Sequence, residues 1–171
     1  MESFKILKKY FPLVVLGIFS RIIPHPANFT VIGGLSIWLG SKKNTKFEIF
    51  IPVAAMIVSD YWLGFDSIFM RLTVYGSVVL MYLIGRMLSK NLVMASFLAS
   101  LVFFVTTNLG VWAISTMYTK TTLGLIQCFY MALPFWRNAL LADVIFTQVF
   151  RYSEMYIRET SANRRTTVII D

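Results

Sequence analysis

Four stretches hold most of the polar residues able to do chemistry in an otherwise apolar chain. The first reads Arg21-Ile22-Ile23-Pro24-His25-Pro26-Ala27-Asn28-Phe29-Thr30. The second reads Ser59-Asp60-Tyr61-Trp62-Leu63-Gly64-Phe65-Asp66 and ends near Arg71. The third is Thr106-Thr107-Asn108-Leu109-Gly110-Val111-Trp112, and the fourth is Pro134-Phe135-Trp136-Arg137-Asn138, with Asp143 further in. Guanidinium groups such as Arg21 and Arg137 meet carboxylates, phosphates and carbonyls through charge-assisted hydrogen bonds. Asn28, Asn108, Asn138 and Asp143 can orient the polar edges of a bound molecule, and Trp112 and Trp136 offer flat walls. These residue types fit recognition of a solute better than bond making. No Gly-rich phosphate loop with Lys-Ser/Thr is present, so the chain carries no ATPase motif, and neither His-Glu-x-x-His nor Gly-x-Ser-x-Gly occurs. Cys128 is the single cysteine, and no zinc-type spacing exists.

Each of these residues also has a purely structural reading. Arg21 and Arg71 can snorkel to lipid headgroups. His25, between two prolines, can simply belong to a stiff loop. Asp60 and Asp143 can form internal ion pairs with Arg21 or Arg137 that fix helix register. Asn108 and Asn138 can bond between helices. Tryptophans, Trp38 most readily, can sit in an interfacial belt.

The elements that must position these residues are legible from composition. The 171 residues are 57% hydrophobic and only 14% charged, with mean hydropathy +0.70. Soluble domains carry about 25% charged residues, so a soluble or disordered chain is excluded and an integral membrane protein is expected. Six apolar segments stand out, at residues 10–23, 29–40, 47–63, 68–88, 92–115 and within 123–150. A spanning helix needs about 20 apolar residues. The last four segments reach that length. The first two are short and are expected to tilt little, to thin the bilayer locally, or to pack as partial helices around a central cavity. Pro134 is expected to split the sixth into a short amphipathic helix over 121–133 and a spanning helix over 135–156. On the fifth segment, Ala95, Ser96, Ala99 and Ser100 put small residues on one face, which allows close helix approach.

Basic residues set the orientation. With six passes and the N-terminus inside, Lys5, Lys8, Lys9, Lys42, Lys43, Lys46, Arg86, Lys90, Arg151, Arg158, Arg164 and Arg165 fall inside, twelve of the sixteen Lys and Arg. This follows the positive-inside rule. Hence the expected fold class is an all-α integral membrane protein of about six transmembrane helices, N-in/C-in. It comprises a cytoplasmic arm over 1–9, a six-helix domain over 10–156 and a basic tail over 157–171. The net charge of +8 then serves topology and lipid headgroups, not nucleic acid. The four polar stretches converge on the opposite, outer side. Charges at membrane depth are costly, so they face a cavity or one another.

Taken in order, these four motifs, from Arg21 to about Phe150, resemble a family of small uncharacterised bacterial membrane proteins. That family is similar in size and helix layout to the substrate-binding (S) components of energy-coupling factor (ECF) vitamin transporters. The resemblance implies a six-helix bundle in the bacterial cytoplasmic membrane that captures a small molecule from the outer side. The loop between the first two helices would help close over it. It implies energising partners, a membrane coupling subunit and two ATPases. The first helix here offers Gly17 and Ser20 among bulky residues, where S components often carry alanines four apart for docking the coupling subunit.

The leading expectation is therefore a non-enzymatic solute-binding component for a vitamin-like or anionic metabolite, with no cofactor or metal. Its site residues would be Arg21, His25, Asn28, Asp60, Asn108, Trp112, Trp136, Arg137, Asn138 and Asp143. Two alternatives stay open. One is a membrane scaffold whose buried polar residues only fix packing. The other is a small membrane enzyme acting on a lipid or isoprenoid group through Asp60, Asp66 or His25.

Overall fold

The structure is a computed structural model. It describes residues 2–44, 46–64 and 67–170, with side chains over 10–44, 47–64 and 67–161. Asp66 lies outside the described residues, as do the side chains of Lys5, Lys8, Lys9, Lys46, Arg164 and Arg165.

Among the described residues there are six α-helices and no strand. They are α1 (Glu2–Ile22), α2 (Ile32–Lys42), α3 (Phe50–Leu63, entered through a 3-10 turn at Lys46–Ile49), α4 (Ile68–Met87), α5 (Leu92–Ile114) and α6 (Thr122–Ile170). The six apolar segments thus became six helices, with most boundaries shifted by only a few residues. Local chemistry sets several ends. Ser67 caps α4 by accepting from the Met70 N–H at 3.2 Å. Asn91 caps α5 by accepting from the Met94 N–H at 3.1 Å. At the end of α2, Lys43 turns left-handed (φ 53°) and its N–H donates to the Gly40 carbonyl at 3.3 Å.

Three expectations are corrected. First, α6 runs unbroken through Pro134. A proline inside a helix costs about 3 kcal/mol. On either side of it, Cys128, Ala132, Ala139 and Ala142 are buried where α5 packs along α6, and that packing favours helix on both sides of the proline. Second, α1 starts at Glu2 rather than near Tyr10, and runs past Pro12. Third, Trp38 is buried at 8% exposure rather than standing in a belt. It stacks on Phe150 with ring centroids 5.3 Å apart and donates its indole N–H to Glu154 at 3.1 Å.

The short helix α2 is the centre of the bundle. At 11 residues it extends only about 16 Å, and every residue from Ile32 to Gly40 is buried. It packs against α4, α6 and α5, while α1 packs on α3. Glycines permit the approach. A Cβ on Gly34 would meet Phe146 Cβ at 2.7 Å and the Thr147 nitrogen at 2.8 Å on α6, and Cβ atoms on Gly40 and Gly85 would run into the backbone carbonyls of Tyr82 and Ile37. The small face of α5 does what its spacing predicts: Ala95, Ser96, Ala99 and Ser100 are fully buried. Among the described residues, two helices, α4 and α5, are long and apolar enough to cross a membrane. Polarity is partly inverted from that of a soluble protein. Ser77, Ser96, Ser100, Thr147 and Asp143 lie inside, while Leu72, Phe97, Leu98 and Val149 face outward.

The end of the bundle opposite the four polar stretches is tied by Glu154. It meets Lys42 at 3.1 Å and Arg158 at 2.6 Å, besides Trp38. Lys42 also lies over the Trp38 ring at 4.1 Å. Glu154→Gln is expected to lower stability by about 2 kcal/mol, the scale of lost hydrogen bonds to charged groups. Reversible unfolding in mixed micelles measures it, and a change below about 0.5 kcal/mol would make this cluster a surface decoration.

Candidate functional site

The ends of α1, α3 and α5, the starts of α2 and α4, and the first half of α6 come together at one end of the bundle. Arg21, in the last turn of α1, reaches across to α3. Its Nη1 lies 2.7 Å from Asp60 Oδ1 and donates to Ser59 Oγ at 2.5 Å and the Met56 carbonyl at 3.0 Å. The Tyr75 hydroxyl of α4 donates to Asp60 Oδ2 at 2.5 Å. The side chains of Arg21 and Asp60 are only 19% and 10% exposed. One of the two foreseen ion pairs therefore forms, and it joins α1, α3 and α4.

Three adjoining cavities lie at this end of the bundle. One of about 230 Å³ is lined by Arg21, His25, Asn28, Thr30, Gly33 and Asp143, with Met56, Val74, Val78, Met81, Phe103 and Ala139 among its walls. A second, of about 430 Å³, lies between α3 and α4 and includes Arg21, Asp60, Arg71 and Tyr75. The third, of about 340 Å³, lies between α5 and α6 and includes Asn28, Phe104, Thr107, Asn108, Trp136 and Ala139. The first shares Arg21, Met56, Leu63 and Val74 with the second, and Asn28, Val74, Phe103 and Ala139 with the third.

Asp143 is deeply set, 4% exposed. Its Oδ1 lies where a Cβ on Gly33 would be, so only glycine at that position of α2 leaves room for it. The Ser100 hydroxyl of α5 stands beside it. Among the described residues no Lys, Arg or His forms an ion pair with Asp143, so the pairing with Arg137 considered from the sequence is not made.

The remaining candidates divide. Asn28 adopts the left-handed conformation (φ 63°), which asparagine tolerates better than most residues, and lines two of the cavities. His25 lines the first cavity, with Nδ1 2.6 Å from the Ile23 carbonyl. Asn108 lines the third and donates to the Phe104 carbonyl at 2.7 Å. Trp136 stacks on Phe104 at 5.1 Å, and its buried indole N–H has no hydrogen-bond partner. Asn138 donates to the Ala27 carbonyl at 3.1 Å and so holds the α1–α2 loop to α6. Two residues fall away from the cavities. Arg137 is exposed and lines none of the cavities described. Trp112 packs at the α5–α6 connection, donating to the Thr119 carbonyl at 3.0 Å. There Lys120 closes the end of α5 by donating to the Ser115 carbonyl at 2.6 Å and to that of Trp112.

Gly33, Tyr75 and the wall formed by Val74, Val78, Met81 and Phe103 were not anticipated. The pair Gly33-Gly34 inside an apolar run was a readable sign of close approach. Tyr75 carries no such sign, because only its rotation on α4 brings it to Asp60.

In comparisons with known proteins, a family model described as "Family of unknown function (DUF6580)" matches residues 5–163. No curated protein and no solved structure matches the chain.

Proposed function

We propose that this chain, which belongs to the DUF6580 family of unknown function, is a multi-pass membrane protein that captures a small molecule in the cavities at the outer end of its bundle. In this reading it acts like a substrate-binding component of ECF-type uptake systems in the bacterial cytoplasmic membrane. All six helices lie in or across the bilayer, N-in and C-in, with the short α2 shielded at the centre. The positive-inside distribution supports that orientation, and the missing phosphate loop fits a protein energised by a separate coupling subunit and ATPases. Gly17 is already used within the chain, since a Cβ there would lie 2.8 Å from Ala55 Cβ. A coupling subunit would therefore engage a surface other than the Gly17 face of α1.

The observation that carries the reading is the set of three adjoining cavities lined by Arg21, Asn28, Trp136 and Asp143. A pure scaffold is expected to fill such volume with side chains, as close-packed interiors do. Pockets with mostly apolar walls and a few convergent polar groups are the usual form of a small-molecule site.

The test is mass spectrometry of small molecules that stay with the protein through purification in mild detergent from cells grown on rich medium. A near-stoichiometric compound is expected from the wild type and from Arg137→Ala. It should be absent from Ala139→Phe, which fills the junction of two cavities. A folded wild type that retains nothing, and that no metabolite mixture stabilises thermally, would return the argument to the scaffold.

A further inference from the structure

We propose that the captured solute carries a protonated nitrogen, as an amine, amidine or amino-heterocycle cation, and that Asp143 receives it. This inference rests on the solute-binding reading and adds the charge class of the solute. Counting basic residues along the outer segments suggests an anion, but around the first cavity the pairing in space reverses that sign. Arg21 is balanced by Asp60 at 2.7 Å and further held by Ser59 and Met56. Arg137 stands outside the cavity. Of the titratable groups lining the first cavity, His25 is exposed and engaged with the Ile23 carbonyl. Asp143 is 4% exposed, lines the cavity and has no cation in ion-pair reach among the described residues.

A carboxylate taken out of water loses several kcal/mol of solvation unless a partner replaces it. Gly33 and Ser100, the groups against it, bring no charge. A ligand N–H⁺ entering the cavity would supply charge-assisted hydrogen bonds in a water-poor setting, where they are strongest. The walls from Val74, Val78, Met81 and Phe103 would cover an apolar or aromatic body next to that nitrogen. The solute class is therefore a compact ring or chain with one cationic nitrogen at its inner end.

Three probes of one shape and different charge test this on the full chain in mild detergent: benzamidine, benzamide and benzoate, titrated by thermal shift. Wild type should bind benzamidine about tenfold or more tighter than benzamide, the scale of one charge-assisted contact, and should show no saturable shift with benzoate. Asp143→Asn should erase the preference for benzamidine, and Ala139→Phe should abolish the benzamidine shift. Equal or tighter binding of benzamide or benzoate overturns the inference, as does a preference for benzamidine that survives in Asp143→Asn. If that variant does not fold, the order among the three probes on wild type decides alone. Binding of benzamide or benzoate that Ala139→Phe removes would sink the cation inference and leave solute capture standing. If none of the three binds, the charge of the compound retained through purification decides, and a protein that binds no probe and retains no compound loses both readings.

Discussion

Arg21→Met should lower the stability of the bundle by about 3 kcal/mol, the cost of stripping one partner from a buried ion pair. The substitution leaves Asp60 as a carboxylate with only 10% side-chain exposure, held by the Tyr75 hydroxyl alone. Asp60→Leu should cost less. Arg21 keeps its bonds to Ser59 and Met56, sits at the end of α1, and has a long side chain that can extend outward from the helix end. The double variant Arg21→Met/Asp60→Leu should return to within about 1 kcal/mol of wild type, because apolar replacement of a buried pair is often neutral. Unfolding in mixed micelles, read as a double-mutant cycle, gives the coupling directly. Additive losses would mean that the two residues act separately, with Arg21 kept for a ligand rather than for packing.

Gly40→Val and Gly85→Val should each prevent assembly of the native bundle or cost about 3 kcal/mol or more. A Cβ on Gly40 would run into the Tyr82 carbonyl, and one on Gly85 into the Ile37 carbonyl. Both contacts are with backbone, which cannot rotate away as a side chain can, so α2 and α4 would have to separate along their length. Overpacking usually costs about 1–3 kcal/mol where side chains can shift, and here the upper end applies. Gly76 on the same helix is the internal comparison. A Cβ there meets nothing within 4 Å, so Gly76→Ala should stabilise by about 0.5–1 kcal/mol through helix propensity. The yield of monodisperse protein and the unfolding midpoint check both statements. Tolerance of valine at Gly40 would show that α2 is not clamped against α4.

Much of this molecule was legible in order along the chain. Hydropathy placed six segments that became six helices, and the small face of α5, read as a surface for close helix approach, is buried. Convergence of Arg21, Asn28, Asp60, Asn108 and Trp136 at one end follows from alternating helix direction, which short connections impose. Segment position and end-to-end alternation are local properties, set by the identity of neighbouring residues, and they can be read one segment at a time.

Which groups touch could not be read that way. Contact depends on how each helix is rotated about its own axis, and α5 is apolar on nearly all sides, so its sequence distinguishes few faces. The tertiary structure decided that Arg21 pairs with Asp60 while Asp143 and Arg137 stay apart, that Trp112 and Arg137 leave the cavities, and that Gly33 yields its side-chain space to Asp143. It also decided that Pro134 does not break α6, because burial on both sides of the proline outweighs the one hydrogen bond it removes. The chain alone determined where the polar groups lie along their helices. Their pairing came only from the packing of α2 among its neighbours, where glycine allows backbones to meet.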